Sequence, residues 1–173
     1  MGILRITKHI LNRRKGLALF LCLFSLSALA GVKESLVKKY PKCSISLENV
    51  FPKDEQIKVI KNKYPTRTVS NFYSFYKKDC AKRFSHLFVF SDIVRTQKQF
   101  LLFDVKNSKI ENVELLKFLE PNEYKIGSSW LNELKKDVGI DGVSGATLTA
   151  NSSKFLAWLA LYLNGIIKNN EST

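Results

Sequence analysis

The sequence predicts an α+β fold: an antiparallel sheet with flanking helices, and a glycine-rich loop just before the C-terminal helix. Three observations carry this. Aromatic and β-branched runs fill the middle of the chain, helical patterns lie at its ends, and one hairpin is written plainly. In that hairpin, Phe100 to Val105 and Ile110 to Phe118 flank the polar turn Lys106-Asn107-Ser108-Lys109, the arrangement of two strands joined tightly. Strands gathered between helices make an α+β domain rather than alternating parallel units. With 45% apolar residues in 173, the chain can bury a core and is too apolar for a disordered one.

In chain order, Val32 to Tyr40 reads as a short helix stopped by Pro41, and Cys43 to Leu47 alternates like a strand. Pro52 opens a helix from Lys53 to Lys63, with Ile57 and Ile60 on one face and Pro65 beyond its end. Val69 to Tyr76 and Phe84 to Phe90 read as strands, followed by the hairpin. Ser128 or Ser129 is placed to cap a helix from Trp130 to about Lys136. After the polar, Gly-rich stretch from Ile140 to Asn151 comes a helix from about Ser152 to Ile167. Its segment from Phe155 to Leu163 is apolar all round, the pattern of a core or membrane-seeking helix. Nine residues cannot cross a bilayer, which needs about 20, so core packing is the expected use. The lone histidine beyond residue 30, His86, falls in a strand and reads as a residue of no special role.

Charge is unevenly spread. The formal net charge is +13, but residues 1–30 hold Arg5, Lys8, Arg13, Arg14 and Lys15 and no acid. Taking those five from 28 basic residues leaves 23 against 15 acidic, a balance of +8. That favours anionic partners, including a membrane surface, a flavin phosphate or an acidic protein. Nucleic acid is not expected, because the lysines are scattered and no binding motif accompanies them. The basic head, the apolar stretch Gly16 to Ala30 and the ending Ala28-Leu29-Ala30 form an export signal. Cleavage is expected after Ala30, giving a periplasmic or envelope protein that starts at Gly31; an uncleaved N-terminal anchor is the alternative. Export would remove Cys22 and leave Cys43 and Cys80 in an oxidising compartment. Either they form a disulfide, closing a loop of about 37 residues worth roughly 2–4 kcal/mol, or they remain two free thiols. The domain expectation is a signal over 1–30, a helix and strand region over 31–83, a binding domain over 84–168 and a tail over 169–173.

The chemistry concentrates in Asp141-Gly142-Val143-Ser144-Gly145-Ala146-Thr147-Leu148-Thr149. One acid, two glycines and three hydroxyls precede a helix, whose free amides and positive dipole end favour a phosphate. Read from composition alone, the same residues also make a capping turn, with Ser144 or Thr149 bonding the first free amides. The run Asp-Gly-x-Ser-Gly-Ala-Thr resembles the flavinylation signature of the FMN-binding domain family. That family includes flavin subunits of the Rnf complex and of sodium-translocating NADH:quinone reductase, and small exported flavoproteins.

The resemblance implies covalent FMN on Thr147, joined through its phosphate by a flavin transferase that cleaves FAD. It carries Asp141, Gly142, Ser144, Gly145 and Ala146 as the rest of the cofactor-binding signature. Val94-Arg95-Thr96 and the strand from Phe100 look like the start of the domain in small exported members. Glu120-Pro121 sits where the larger subunits carry a Glu-Thr-Pro-Gly loop, although this chain lacks the Thr and the Gly. Coverage is roughly residues 84 to 167. A flavin ring needs an apolar wall and nearby donors; Trp130, Tyr124 and Phe118 are candidates for the wall, and Arg95 for a donor. The implied function is electron transfer between envelope redox partners rather than stand-alone enzymatic turnover, since no nicotinamide-binding motif is present. A non-redox binding or assembly module of the envelope with the same fold is the alternative. One histidine leaves almost no material for a Ser-His-Asp or His-metal site, and no Cys-x-x-Cys-His occurs for c-type haem.

Overall fold

A computed structural model of the chain describes residues 31–81 and 83–171; the export signal expected over residues 1–30 lies outside them. The chain divides into two compact units, Met1–Ile45 and Ser46–Thr173. In the first, residues 31–39 form helix α1, whose last turn is closed by the Tyr40 N–H on the Leu36 carbonyl at 2.9 Å. Pro41 follows and cannot continue it.

The second unit is built on an antiparallel sheet in the order β1-β2-β3-β4-β5. Strand β1 (Ser44–Val50), which starts at the end of the first unit, leads to helix α2 (Asp54–Lys63). Then come β2 (Tyr73–Asp79), β3 (Phe84–Ile93), β4 (Lys98–Lys106) and β5 (Lys109–Phe118). A 3₁₀ turn at Asn122–Tyr124, helix α3 (Ser128–Lys136) and the long α4 (Thr147–Glu171) complete it. The expected α+β architecture is therefore present, and its sheet runs without interruption from β2 into β3, with Tyr76 opposite Leu87 and Asp79 opposite Phe84.

Local chemistry explains the details. Asn107 and Ser108 adopt φ of 49° and 60°, the two positive values that a tight hairpin turn requires, so Lys106 pairs with Lys109. The second strand starts at Tyr73 rather than Val69. Before it, the Ser70 N–H donates to the Tyr73 hydroxyl at 3.1 Å and the Phe72 N–H to the Ser70 hydroxyl at 3.3 Å. These local bonds take the amides that a ladder would use. In α3 the serines expected as caps lie inside the helix; Gly127 is the cap and makes no side-chain bond.

One face of the sheet meets α4. Phe75, Phe88, Leu101, Phe103 and Val105 pack there with Phe155, Leu156, Leu159, Ala160 and Leu163 in a single cluster. Each such large side chain contributes roughly 1.5–3 kcal/mol by leaving water. This explains the all-round apolar run of the last helix as core. Among the described residues no helix is long and apolar enough to cross a membrane. His86 is buried on that face, and its Nδ1 is 2.8 Å from the Asn164 side-chain oxygen. Cys43 and Cys80 are both disulfide-bonded.

Candidate functional site

The signature folds as a loop, a tight turn and a helix start. Asp141 and Gly142 are exposed, and the Ala146 N–H reaches the Val143 carbonyl at 3.0 Å. Gly145 takes φ of +79° at the third position of that turn, where only glycine is at ease. A side chain there would cost about 1–2 kcal/mol in backbone strain. The turn delivers the chain directly into α4, which starts at Thr147 rather than near Ser152. The expected boundary was late because polar residues 147–151 read as loop, whereas the turn supplies the helix start.

Thr147 is thus the first helical residue, with its side chain exposed. Its hydroxyl donates to the Val143 carbonyl at 3.2 Å, which holds the proton on the turn at an exposed position. The first intrahelical bond runs from the Ala150 N–H to the Ala146 carbonyl at 3.0 Å, so the preceding amides lie at the open helix end. No acidic residue occupies the first turn, and the positive end of the dipole is not neutralised from within α4.

Around this start the fold assembles a small pocket of about 150 Å³, lined by Arg95, Tyr124 and the segment from Gly145 to Thr149. Arg95 and Thr147, 52 positions apart in the sequence, are brought together here. The Arg95 guanidinium lies 4.1 Å from the Tyr124 ring centroid. Tyr124 is fixed in turn, because its carbonyl accepts from the Thr149 hydroxyl at 2.7 Å. Ligand pockets that enclose a whole molecule run to roughly 300–1,000 Å³. At 150 Å³ this one fits a phosphate and its nearest atoms, not a tricyclic ring.

Other expected residues take different places. Trp130 does not line the pocket; its indole N–H donates to the Asp141 carbonyl at 3.0 Å and so ties the loop to α3. Phe118 stands on β5 opposite Gln99 and is likewise outside the pocket. A Cβ on Gly142 would lie 3.7 Å from the Thr147 methyl, and Ala146 is buried beneath the turn.

Two supports act through long-range contacts that the sequence does not reveal. Gln99 is fully buried; its amide donates to the Ser152 and Ser153 hydroxyls at 2.8 and 3.2 Å. Ser152 donates onward to Asp92 at 2.6 Å, and Asp92 is paired with Arg67. This network pins the first turns of α4 to β3 and β4. The second support is Glu120, buried, with one carboxylate oxygen accepting three consecutive amides: Arg95 at 3.2 Å, Thr96 at 2.6 Å and Gln97 at 2.7 Å. The Thr96 and Gln97 amides hold its carboxyl below the usual carboxylate range, with the Arg95 amide and Thr96 hydroxyl adding to this against the opposing effect of burial.

A group with a lowered folded-state pKa contributes stability above its unfolded value and loses it as pH falls through the folded one. The melting-temperature difference between the wild type and Glu120→Ala should therefore be full at neutral pH and shrink in acid, below the ordinary carboxylate range. A difference constant across that range would show that the carboxylate does not hold the turn.

No family model matches the chain, and no curated protein or solved structure matches it.

Proposed function

We propose that this chain is an exported flavoprotein that carries FMN covalently on Thr147 and serves as an electron-transfer component of the periplasm or cell envelope. The observation that carries the reading is the geometry of the signature. Its threonine is exposed at the first position of a 25-residue helix, behind a glycine at φ +79°, with a cation in the same pocket. That is the arrangement a phosphoester attachment requires: an accessible hydroxyl, an electropositive surrounding and room for the phosphate.

Attachment is a phosphoryl transfer made by a separate flavin transferase. The Thr147 hydroxyl oxygen forms a bond to the FMN-side phosphorus of FAD, the pyrophosphate bridge breaks and AMP departs with the bonding pair. The hydroxyl proton is lost to the transferase or solvent. Once attached, FMN supplies the capacity to take up and release electrons singly or in pairs. The protein's own residues anchor the phosphate and hold the attachment loop through Trp130 and Gly145. A tether suits an exported carrier, because flavin lost outside the cytoplasm is not readily replaced.

The test is coexpression with a flavin transferase in the exporting compartment. The mature chain should gain the mass of FMN minus water and show a flavin visible spectrum that bleaches on reduction. A colourless chain of unmodified mass, made beside a transferase that loads a control substrate, would sink the proposal. It would leave the non-redox binding or assembly role.

A further inference from the structure

The geometry points to Arg95 as the counter-charge for the phosphate on Thr147, with Glu120 and Tyr124 as the residues that position it. This rests on the flavin-carrier reading and adds to it the identity of the group that neutralises the phosphodiester.

Arg95 lies in the short connection between β3 and β4, an exposed segment with no burial of its own to fix it. Two devices fix it instead. From below, Glu120 takes the Arg95, Thr96 and Gln97 amides on one oxygen and also accepts from the Thr96 hydroxyl at 3.3 Å. The Val94 N–H closes the same turn on the Gln97 carbonyl at 3.0 Å. From the side, the Tyr124 ring carries the guanidinium at 4.1 Å, a cation–π contact that sets its plane.

The result is a cation aimed at a pocket whose other walls are Tyr124 and the start of α4. Among the described residues no carboxylate pairs with Arg95. Its partner is therefore to be sought in what the pocket receives. The space beside Thr147 is about 150 Å³ and open on its outer side, room for the phosphate of an FMN attached there, with the ring extending past it. Arg95 acts on the phosphodiester anion rather than on the reduced ring, and guanidinium is the side chain best matched to phosphate oxygens.

The anchoring also explains why Glu120 is buried beside a turn of surface residues. Its carboxylate occupies the backbone amides from inside, so the bound anion does not compete with a mobile loop for them. Glu120 touches neither cofactor nor reacting atoms and is a positioning residue.

The experiment is ³¹P NMR of the loaded, full-length mature protein, with wild type, Arg95→Gln, Arg95→Lys and Glu120→Ala made beside the transferase. The phosphodiester resonance in the wild type should be displaced from that of a free FMN diester. It should move towards the free value in Arg95→Gln and Glu120→Ala, and be partly restored in Arg95→Lys, while the flavin absorption maxima stay in place. If Arg95→Gln fails to load yet melts as the wild type does, recovery of loading by Arg95→Lys supports the assignment; no recovery overturns it. A resonance unmoved by Arg95→Gln also overturns it, while FMN on Thr147 in that same sample leaves the flavin-carrier reading intact. Absence of FMN from the wild type removes both.

Discussion

Thr147→Ala is expected to abolish covalent loading of FMN and to leave the fold untouched. In the proposed attachment this hydroxyl supplies the atom that bonds to phosphorus, so no rate should survive its removal unless another hydroxyl substitutes. The structure ranks the substitutes. Thr149 is 1% exposed and its hydroxyl is committed to the Tyr124 carbonyl at 2.7 Å. It cannot meet a transferase while the helix is folded. Ser144 is exposed but sits on the turn, before the helix start. Among the described residues, the hydrogen bond lost on substitution is the one to the Val143 carbonyl at 3.2 Å, at an exposed position. Exposed changes of this kind shift stability by about 0.5 kcal/mol or less, a change of about 2 °C or less in melting temperature for a chain of this size. Intact mass after coexpression and a melting curve test both halves. Thr147→Ser, which keeps the hydroxyl, serves as the control and should still load. An FMN adduct on Thr147→Ala would refute the attachment assignment. A large drop in melting temperature would show that the turn depends on this hydroxyl.

How much of this was legible in the sequence follows from where each residue finds its partners. The hairpin of β4 and β5 was, because its apolar alternation and the two-residue turn are local. So was the core role of α4, since a nine-residue run apolar all round is too short to cross a bilayer and packs instead. The segment Asp141 to Thr147 stands out by its glycines and hydroxyls, and the turn that presents Thr147 follows from Gly145. The late start expected for α4 comes from reading residues 147–151 as loop, although the Thr149 side chain is buried and bonded to the Tyr124 carbonyl. Gln99 gave no signal at all. A glutamine next to Lys98 at the start of a strand reads as solvent-facing, and only the arrival of a helix more than 50 positions later makes it fully buried. Glu120 was noticed through a family loop, yet its work is done on amides 23 to 25 positions earlier. Long-range polar contacts have no period and no composition, so they stay silent in a single sequence.

The same silence covers the Lys78–Asp104 pair, whose loss should cost the fold most. Lys78 on β2 and Asp104 on β4 are joined by an ion pair with side-chain exposures of only 13% and 7%. Asp104 stands opposite Leu87 in the ladder, on the face of the sheet turned away from α4. Removing Lys78 leaves the buried Asp104 carboxylate without this counter-charge, at a cost of about 3–5 kcal/mol. For a chain of this size that corresponds to a fall of roughly 6–20 °C in melting temperature. Lys78→Met should show it in a melting curve, and Asp104→Leu, which removes the buried carboxylate itself, should lose less. The pair itself is not optimal, because the second Asp104 carboxylate oxygen is buried with no hydrogen-bond partner among the described residues. Coulomb attraction in the interior offsets desolvation only when the remaining lone pairs are also satisfied. The double variant Lys78→Met with Asp104→Leu should therefore recover most of what either single change loses. The diagnostic is the coupling between the two positions. Additive losses would mean that the charges stabilise the fold independently, and single losses below about 1 kcal/mol would mean that water reaches the pair as it does on a surface. FMN loading on Thr147 should persist in the double variant, since α4 and the Arg95 turn lie on other elements and draw nothing from this pair.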